Sequence, residues 1–323
     1  MTLVLSDAEV REACDMRVLI DVIEQAIAIE ARGGVQIVPR INFGVENGFF
    51  RLMPAVIEEL DVMGVKVFDA KFPQARYLIA TFTPSTGELD CLIDAAYLTA
   101  ARTGATTGVA TRWMTSQDGC GEVGVIGSGL EARTNLEAVL AVREVQRVKV
   151  FSRNAERRER FAREVAEAFG VPVVAVDSAA EAADAPCVIA ATNTGAGGPV
   201  ALEGAWLRDD AHLNTIGATA PVLREVDAAT FGRATAIVLD TEHADEECGD
   251  IMAAKREATW DAARVTTLAD LVGSGEPVQR KGLTVFKSVG TAVQDLAAAA
   301  AVARVARERG LGRELDVLSP KMF

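Results

Sequence analysis

The chain has 323 residues, with 33 Lys or Arg and 46 Asp or Glu, so its formal charge is −13. Half of the residues are hydrophobic, which is ample for a folded core and excludes a mainly disordered protein. An acidic chain lacks the basic face that nucleic acids and anionic membrane surfaces attract, so neither partner is expected. No apolar run reaches the roughly 18 residues of a membrane span. The length predicts about two domains.

The cysteines and histidines limit the redox and metal chemistry that the chain offers. Five cysteines at irregular spacing form no CxxC pair, which predicts free thiols in the cytoplasm. The N-terminus is acidic, and no signal peptide is expected. Only His212 and His243 are present, so no metal site is predicted, although a carboxylate site is not excluded. The acidic run 242–247 is expected to be a solvated helix face.

The first part of the chain has the pattern of a helix followed by a sheet. Residues 16–32 carry apolar side chains at helical spacing, which predicts a helix after Asp15. From 35 to 94, short β-rich runs alternate with turn signals such as Pro84-Ser85-Thr86-Gly87, which predicts an antiparallel sheet. Residues 96–115 are expected to form a long helix.

From Gly121 onward, apolar strands and helices alternate. The predicted strands lie near 121–126, 147–152, 172–176, 186–191, 211–216 and 235–239. The predicted helices lie near 130–143, 155–169, 222–230 and 291–309. Continuous apolar strands that alternate with helices indicate an α/β protein with a parallel, doubly wound sheet that is covered on both faces.

A glycine-rich turn joins the first of these strands to its helix. Gly127-x-Gly129-x-x-Ala132 follows an apolar strand and opens a helix. The first glycine permits the tight turn, the second lets a pyrophosphate approach the backbone, and the small third residue lets the helix pack on the strand. The helix N-terminus then faces the phosphates. The spacing therefore predicts a dinucleotide site; the alternative is a turn that serves packing only.

The end of the next strand favours one of the two common dinucleotides. An NAD site usually carries Asp or Glu there, whereas this chain has Ser152, Arg153 and Asn154, with Arg157 and Arg158 nearby. A cation and small polar groups suit a 2′-phosphate. We therefore expect NADP(H) as the preferred cofactor and NAD(H) as the alternative, unless Arg153 only caps a surface loop.

Segments along nearly the whole chain together resemble the ornithine cyclodeaminase/mu-crystallin family. They are Leu52-Met53-Pro54-Ala55, Gly64-Val65-Lys66-Val67, Pro84-Ser85-Thr86-Gly87-Glu88-Leu89, Leu98-Thr99-Ala100-Ala101-Arg102-Thr103-Gly104-Ala105, the glycine-rich turn, Gly249-Asp250 and Thr284-Val285-Phe286-Lys287-Ser288-Val289-Gly290. The resemblance implies a Rossmann domain, here 116–290, and a smaller α+β domain that binds substrate and forms a homodimer, here 1–115 with 291–323. Members include ornithine cyclodeaminases, ketimine reductases, amino-acid dehydrogenases and a lens protein that binds NADPH.

Three cations match the family's substrate positions. Arg40 looks like the arginine that grips the substrate carboxylate, Lys66 like the lysine near the reacting carbon, and Arg102 like the arginine that bridges substrate and cofactor. The chemistry is sensible in itself, because an α-amino or α-imino acid needs a fixed cation and arginine can bind a carboxylate bidentately. A lone lysine inside an apolar strand is costly unless it is paired or functional. The alternatives are solvated side chains or surface ion pairs.

Further residues match cofactor positions of the family. The glycines are followed by Leu130 and Glu131, where the family's backbone meets the cofactor phosphates. Thr192 and Ile216 each end a predicted strand, where ligands of doubly wound sheets bind. Ile216 should border the nicotinamide, and Ser288 resembles a cofactor-contacting serine. Each could instead be ordinary strand-end or turn chemistry.

One position departs from the ornithine cyclodeaminases. Their strand at this point leads into an acid/base aspartate, whereas by position Thr219 stands here. The next carboxylates, Glu225 and Asp227, fall in the predicted helix 222–230. A threonine hydroxyl is a poor base at neutral pH. Reduction of an imine needs only carboxylate binding, a hydride donor and one proton source, which Lys66 or a bound water could supply. Mu-crystallin, a ketimine reductase, likewise has a small hydroxyl residue here.

Three functions are compatible with these observations. The leading hypothesis is an NAD(P)H-dependent imine reductase or amino-acid dehydrogenase, with pyrroline-2-carboxylate or piperideine-2-carboxylate as preferred substrate and with Lys66 and Thr219 as catalytic residues. The second is an ornithine cyclodeaminase-type ammonia-lyase that uses NAD catalytically. The third is a non-enzymatic NADPH-binding protein. His212, in a predicted strand, is expected to be a core histidine, and Cys248 a structural residue.

Overall fold

The computed structural model describes residues 1–71, 74–279 and 281–319. The β-strands are β1 Thr2–Leu5, β2 Gln36–Ile37, β3 Ile41–Val45, β4 Gly48–Ile57, β5 Val62–Lys71, β6 Gln74–Phe82, β7 Leu89–Asp94, β8 Gly121–Ile126, β9 Val145–Phe151, β10 Val173–Ala175, β11 Cys187–Ala190, β12 His212–Thr215, β13 Ala236–Leu239, β14 Val265–Thr267, β15 Thr284–Lys287 and β16 Arg313–Leu315. The α-helices are α1 Asp7–Ala13, α2 Met16–Ala31, α3 Ala96–Met114, α4 Leu130–Val142, α5 Ala155–Phe169, α6 Ala179–Ala183, α7 Ala228–Arg233, α8 Ala244–Glu247, α9 Gly249–Arg256, α10 Leu268–Ser274 and α11 Ala292–Arg309.

The strands and helices form two compact units: Met1–Arg102 with the chain from Thr291 onward, and Thr103–Gly290. None of the described helices is long and apolar enough to cross a membrane.

The first unit is built on a mixed sheet in the order β16-β1-β7-β6-β5-β4-β2, with β3 paired to β4. Strands β4 to β7 are antiparallel neighbours, as predicted for the region 35–94, whereas β1 runs parallel to β7. Helix α11 packs on β4, β5 and β6 and also against α2. The first unit is therefore an α+β layer in which one sheet face is covered by helices.

Helix α11 has clear start and stop signals. Thr291 caps its N-terminus in a capping box with Gln294, and Gly310 ends it in the left-handed conformation that glycine adopts without strain. Eight of its 18 residues are alanines, whose small side chains allow the helix axis to approach the sheet closely. The two polar side chains of its first turns, Gln294 and Asp295, are buried.

The second unit is built on an all-parallel sheet in the order β10-β9-β8-β11-β12-β15-β13-β14. Apolar side chains from successive residues of β11 point into two different cores, because Cys187 and Ile189 join one cluster and Val188 and Ala190 the other. Helices therefore cover both faces, and the predicted doubly wound α/β fold is confirmed. The strand order reverses between β8 and β11, the place where such sheets bind ligands.

The second unit differs from the sequence-based expectation in two places. The helix predicted over 222–230 is wrong: α7 begins at Ala228 with Asp227 as its N-cap. Leu223 and Val226 are three residues apart, a spacing compatible with a helix, but each forms an isolated β-bridge instead. The central strand β15 was not predicted. Its four residues are fully buried, and so short an apolar run has no periodicity that separates a strand from a loop.

Candidate active site

Lys66 lies in the middle of the first unit's sheet, on strand β5. Its register partners on the adjacent strands are the apolar Met53 and Ile79. The residue is only 2% exposed, and its Nζ lies 2.7 Å from Oδ2 of Asp295. A buried ammonium needs such a partner, because an isolated charge in an apolar interior is strongly disfavoured.

Asp295 also binds Arg102, so one carboxylate joins two of the predicted substrate cations. Nε of Arg102 donates to Oδ1 of Asp295 at 2.8 Å, and its Nη1 donates to Oε1 of Gln294 at 3.1 Å. Arg102 is 5% exposed and lies on α3, whereas both of its partners lie at the start of α11. The capped start of α11 thus fixes the orientation of Arg102 and Lys66 together.

Burial and neighbouring cations lower the pKa of Lys66. The pKa falls from its ordinary value to about 8 because burial disfavours the charged form, which the Asp295 carboxylate only partly offsets. The charges of Arg102 and Arg40 lower it further. Arg40 is half-buried just before β3 and acts electrostatically on Lys66. Lys66 can therefore hold or release a proton near neutral pH.

The structure brings the three predicted substrate cations, Arg40, Lys66 and Arg102, into one electrostatic cluster. Asp295 and Gln294 could not be identified from the sequence, because they lie more than 190 residues along the chain from Arg102. An aspartate early in an alanine-rich helix is expected on a solvated face, and only the structure shows that this one is fully buried. We therefore add Asp295 and Gln294 to the candidate site.

In the second unit the glycine-rich turn lies at the switch point of the sheet. Gly127 has φ +128°, and a Cβ there would overlap the carbonyl oxygen of Ala191, so only glycine fits. At Gly129, which caps α4, an added Cβ would meet no atom within 4 Å. Leu130 and Glu131 form the first turn of α4. This open backbone before a helix N-terminus fits the pyrophosphate of a dinucleotide.

A chain of hydroxyl groups ties that turn to the end of β9. Ser128 donates to Oγ of Ser152 at 2.9 Å, and Ser152 donates to the carbonyl of Asn154 at 3.2 Å. The Asn154 side chain caps α5 by accepting from the Arg157 backbone, while Arg153 is exposed. The end of β9 therefore carries Ser152, Arg153 and Asn154, and none of these residues is a carboxylate.

The ends of β11 and β12 hold the next group of predicted cofactor residues. Thr192 and Ile216 follow these strands, and both donate through their backbone to the buried carboxylate of Glu225. Thr219 is half-buried in the segment after β12. The two carboxylates of this segment are already engaged, since Glu225 accepts five hydrogen bonds and Asp227 caps α7. Neither can replace the missing aspartate as a base.

The remaining predicted cofactor residue, Ser288, follows β15 and is 1% exposed. Its hydroxyl donates to Asp240 at 2.7 Å, and the same carboxylate accepts from the backbone of Val289 and Gly290. Asp240 thus fixes the turn that contains Ser288. Sequence reasoning did not single out Asp240, which lies 48 residues earlier.

Two further features are a buried histidine and the arrangement of possible metal ligands. His212 is buried in β12, and its ring nitrogens bind Thr284 and Asn214, as expected for a core histidine. Over residues 1–71, 74–279 and 281–319, no group of three or more His, Cys, Asp or Glu side chains has the arrangement of a metal site.

The parallel sheet with a glycine-rich turn at its switch point defines an α/β protein of the dinucleotide-binding class. Its particular family follows from comparison with known proteins. The model of the ornithine cyclodeaminase/mu-crystallin family matches residues 1–310, and the chain belongs to that family.

Three relatives indicate the breadth of the similarity. A Delta(1)-pyrroline-2-carboxylate reductase of Bacillus cereus is 32% identical over 289 residues, which cover 85% of this chain and 87% of that protein. The ketimine reductase mu-crystallin of Rattus norvegicus is 29% identical over 260 residues, or 78% and 79% of the two chains. Among solved structures, the Thermococcus litoralis Delta(1)-pyrroline-2-carboxylate reductase in complex with NADH and L-proline has a TM-score of 0.90 at 30% identity, covering 97% of this chain and all of that one.

Proposed function

We propose that this protein is an oxidoreductase that reduces the C=N bond of a cyclic α-imino acid, with pyrroline-2-carboxylate or piperideine-2-carboxylate as substrate. The observation that carries the proposal is the buried group of Lys66, Arg102 and Asp295, with Lys66 at a pKa of about 8. Named relatives that reduce such imines, and one that binds NADH and L-proline, support it.

The roles of the residues follow from their charge and placement. Arg40 and Arg102 bind the α-carboxylate, which arginine can do bidentately. When bound, the nicotinamide supplies the hydride for the imine carbon. Lys66 holds a proton at Nζ for the imine nitrogen, and Asp295 orients that atom. Thr219, in the segment after β12, would contribute a hydroxyl that carries no charge, which suits reduction rather than cyclodeamination.

Turnover with and without Lys66 tests this function. We expect the wild-type protein to oxidise NADPH when pyrroline-2-carboxylate is added and to release proline. Lys66→Ala should lower kcat/KM by about 10²-fold or more, the usual contribution of a positioned acid. No wild-type turnover, or unchanged turnover in Lys66→Ala, would refute the proposal. Ammonia and proline formed from ornithine with catalytic NAD⁺ would instead identify a cyclodeaminase.

The cofactor is a nicotinamide dinucleotide, and we propose a preference for NADP(H). The support is local: the exposed Arg153 lies at the end of β9 beside Ser152 and Asn154, where an NAD site usually has a carboxylate. Arg153→Ala should weaken NADPH binding about tenfold, the range of one charge-assisted contact, and leave NADH binding unchanged. Equal loss for both nucleotides, or tighter binding of NADH by the wild type, would argue for NAD(H).

We also propose that two copies of the chain associate through the first unit's sheet. One face of β4, β5 and β6 packs against α11, and the opposite face is also apolar. Its cross-strand rows are Leu52–Val67–Leu78, Pro54–Val65–Ala80 and Val56–Met63–Phe82. All nine side chains are half-buried or exposed in the isolated chain. A contiguous apolar sheet face of this kind is typical of an interface.

The five cysteines are free thiols in the structure. We propose a cytoplasmic location, and the support is that disulfides form in oxidising compartments whereas these thiols are free.

A further inference from the structure

Glu225 is a buried carboxylate that links two strand ends of the second unit. Its Oε1 accepts from the backbone and the hydroxyl of Thr192, at 2.6 and 2.8 Å. Its Oε2 accepts from Oγ1 of Thr215 at 2.8 Å and from the backbone of Ile216 and Gly217, at 3.0 and 2.7 Å. The residue is 1% exposed. Five donors, from the last residue of β12 and from the segments after β11 and β12, therefore converge on one side chain.

A second buried acid holds the segment that carries Glu225. Oδ1 of Asp250, in the first turn of α9, accepts from the backbone of Glu225 and Val226 at 2.7 and 3.2 Å. Its Oδ2 lies 3.8 Å from Nζ of Lys287, at the end of β15, and both side chains are fully buried. Burial raises the pKa of Glu225, while the charge of Lys287 and the backbone donors of Gly217 and Thr192 limit that rise.

We propose that Glu225 is a positioning residue for the cofactor. Its carboxylate sets the distance and angle between the segments after β11 and β12, and these segments receive the nicotinamide half of the cofactor. The inference rests on the proposed function and on the expectation from the sequence that Thr192 and Ile216 belong to the cofactor site. Asp250 and Lys287 support Glu225: Asp250 fixes its backbone, and Lys287 balances its charge. None of the three exchanges a proton with the substrate.

The chemistry of the donor set explains why a carboxylate is needed here. A carboxylate offers two acceptor oxygens and no donor, which matches five converging N–H and O–H groups. A Gln side chain would place its NH2 against at least one backbone N–H. Because two backbone donors meet Oε2 and one meets Oε1, the amide oxygen of Gln should stay with Ile216 and Gly217, and the contact to Thr192 should be lost.

The approach of the two segments is close enough to demand glycine at position 217. A Cβ there would overlap the carbonyl oxygen of Thr192 and the Glu225 side chain. The gap between the two segments is therefore fixed by direct contact as well as by the shared carboxylate.

Nucleotide binding by the full-length protein, without substrate, tests the proposal. Titration with NADPH and with NADH should show affinity reduced about tenfold in Glu225→Ala and severalfold in Glu225→Gln, since bonds to charged groups are the stronger ones. With saturating nucleotide, the KM for the imino acid should stay near the wild-type value. Asp227→Ala is the matched control: it removes the cap of α7, lowers the melting temperature and leaves nucleotide affinity unchanged.

Hydrogen exchange of the nucleotide-free protein gives a second readout. Glu225→Gln should speed exchange in the segment after β11, whereas Asp227→Ala should speed it in α7. The proposal would be overturned if Glu225→Ala bound nucleotide with wild-type affinity. It would also be overturned if Asp227→Ala lost as much nucleotide affinity as Glu225→Ala. If Glu225→Ala does not fold, Glu225→Gln and Thr215→Val decide the question. Because the nucleotide titrations and the hydrogen-exchange measurements contain no imino acid, a wrong substrate assignment leaves their outcomes intact. A wild-type protein that binds neither nucleotide would overturn both proposals.

Discussion

At the scale of single residues, the proposed chemistry rests on a buried lysine whose neighbours decide its proton affinity. Lys66 has one carboxylate partner and two cations in its electrostatic surroundings, and burial adds to the cations' effect. The charged form is therefore less favoured than in water, although Asp295 preserves it below a pH of about 8. A general acid works best when its pKa lies near the operating pH, and a pKa of about 8 is close to physiological pH.

The first prediction concerns the pH dependence of imine reduction. Because the reaction uses the protonated form of Lys66, kcat/KM should be level below its pKa and fall tenfold per pH unit above about pH 8. The inhibition constant of pyrrole-2-carboxylate, which has no titrating amine in this range, separates the protein group from the substrate. In Lys66→Arg, whose guanidinium stays charged, the inhibition constant of pyrrole-2-carboxylate should lose the pH dependence that Lys66 gives it in the wild type. A profile that stays flat or rises through pH 10 would contradict the role of Lys66.

The second prediction concerns Asp295. Asp295→Asn removes the charge that raises the pKa of Lys66, so the fall in kcat/KM should begin at a lower pH than in the wild type. It also removes the partner of Arg102, so the KM for the imino acid should rise about tenfold. Glu308→Gln, an exposed position of the same helix, is the control and should leave both quantities unchanged. An unshifted pH profile in Asp295→Asn would show that Lys66 does not depend on this carboxylate.

These residues also show what sequence could predict at this scale. Arg40, Lys66 and Arg102 could be proposed from the sequence, because the family pattern singles out all three and the position in an apolar strand singles out Lys66. Asp295, Gln294 and Asp240 were missed, since their roles arise from contacts between distant parts of the chain. A pattern along one segment cannot show which side chain of another segment will bind it.

At the scale of elements, long segments with one clear periodicity were predicted well and short ones were not. Helix α3 and the antiparallel strands lie where apolar spacing and turns placed them. Segment 222–230 was misassigned because Leu223 and Val226 mimic a helix, while the bonds of Glu225 hold the chain in an irregular path. Tertiary hydrogen bonds there override the local pattern.

The third prediction concerns the apolar sheet face of the first unit, which we assign to a second copy of the chain. Leu78 is 44% exposed on β6, so Leu78→Lys should be tolerated by the fold of one chain but should place a charge in the interface. Light scattering after size-exclusion chromatography should show a dimer for the wild type and a monomer for Leu78→Lys. Val174→Lys, 48% exposed on β10 of the second unit, is the control and should remain dimeric. A monomeric wild type would contradict the assignment.

At the scale of the whole molecule, the proposal has an acidic chain bind anionic ligands through a few placed cations. The formal charge is −13, yet the proposed substrate cations Arg40, Lys66 and Arg102 all belong to the first unit, and Arg153 lies by the proposed 2′-phosphate site. The alternation of strands and helices was enough to predict the doubly wound sheet. The mixed sheet of the first unit was predicted in part only, because β1 and β16 join it from the two ends of the described chain.

The most direct test of the account is the fate of the hydride. The protein would be incubated with pyrroline-2-carboxylate and NADPH fully deuterated at C4 of the nicotinamide, and the products analysed by mass spectrometry and NMR. The account predicts one deuterium at Cα of each proline formed and one NADP⁺ for each proline. Proline without deuterium, or no proline at all, would contradict it.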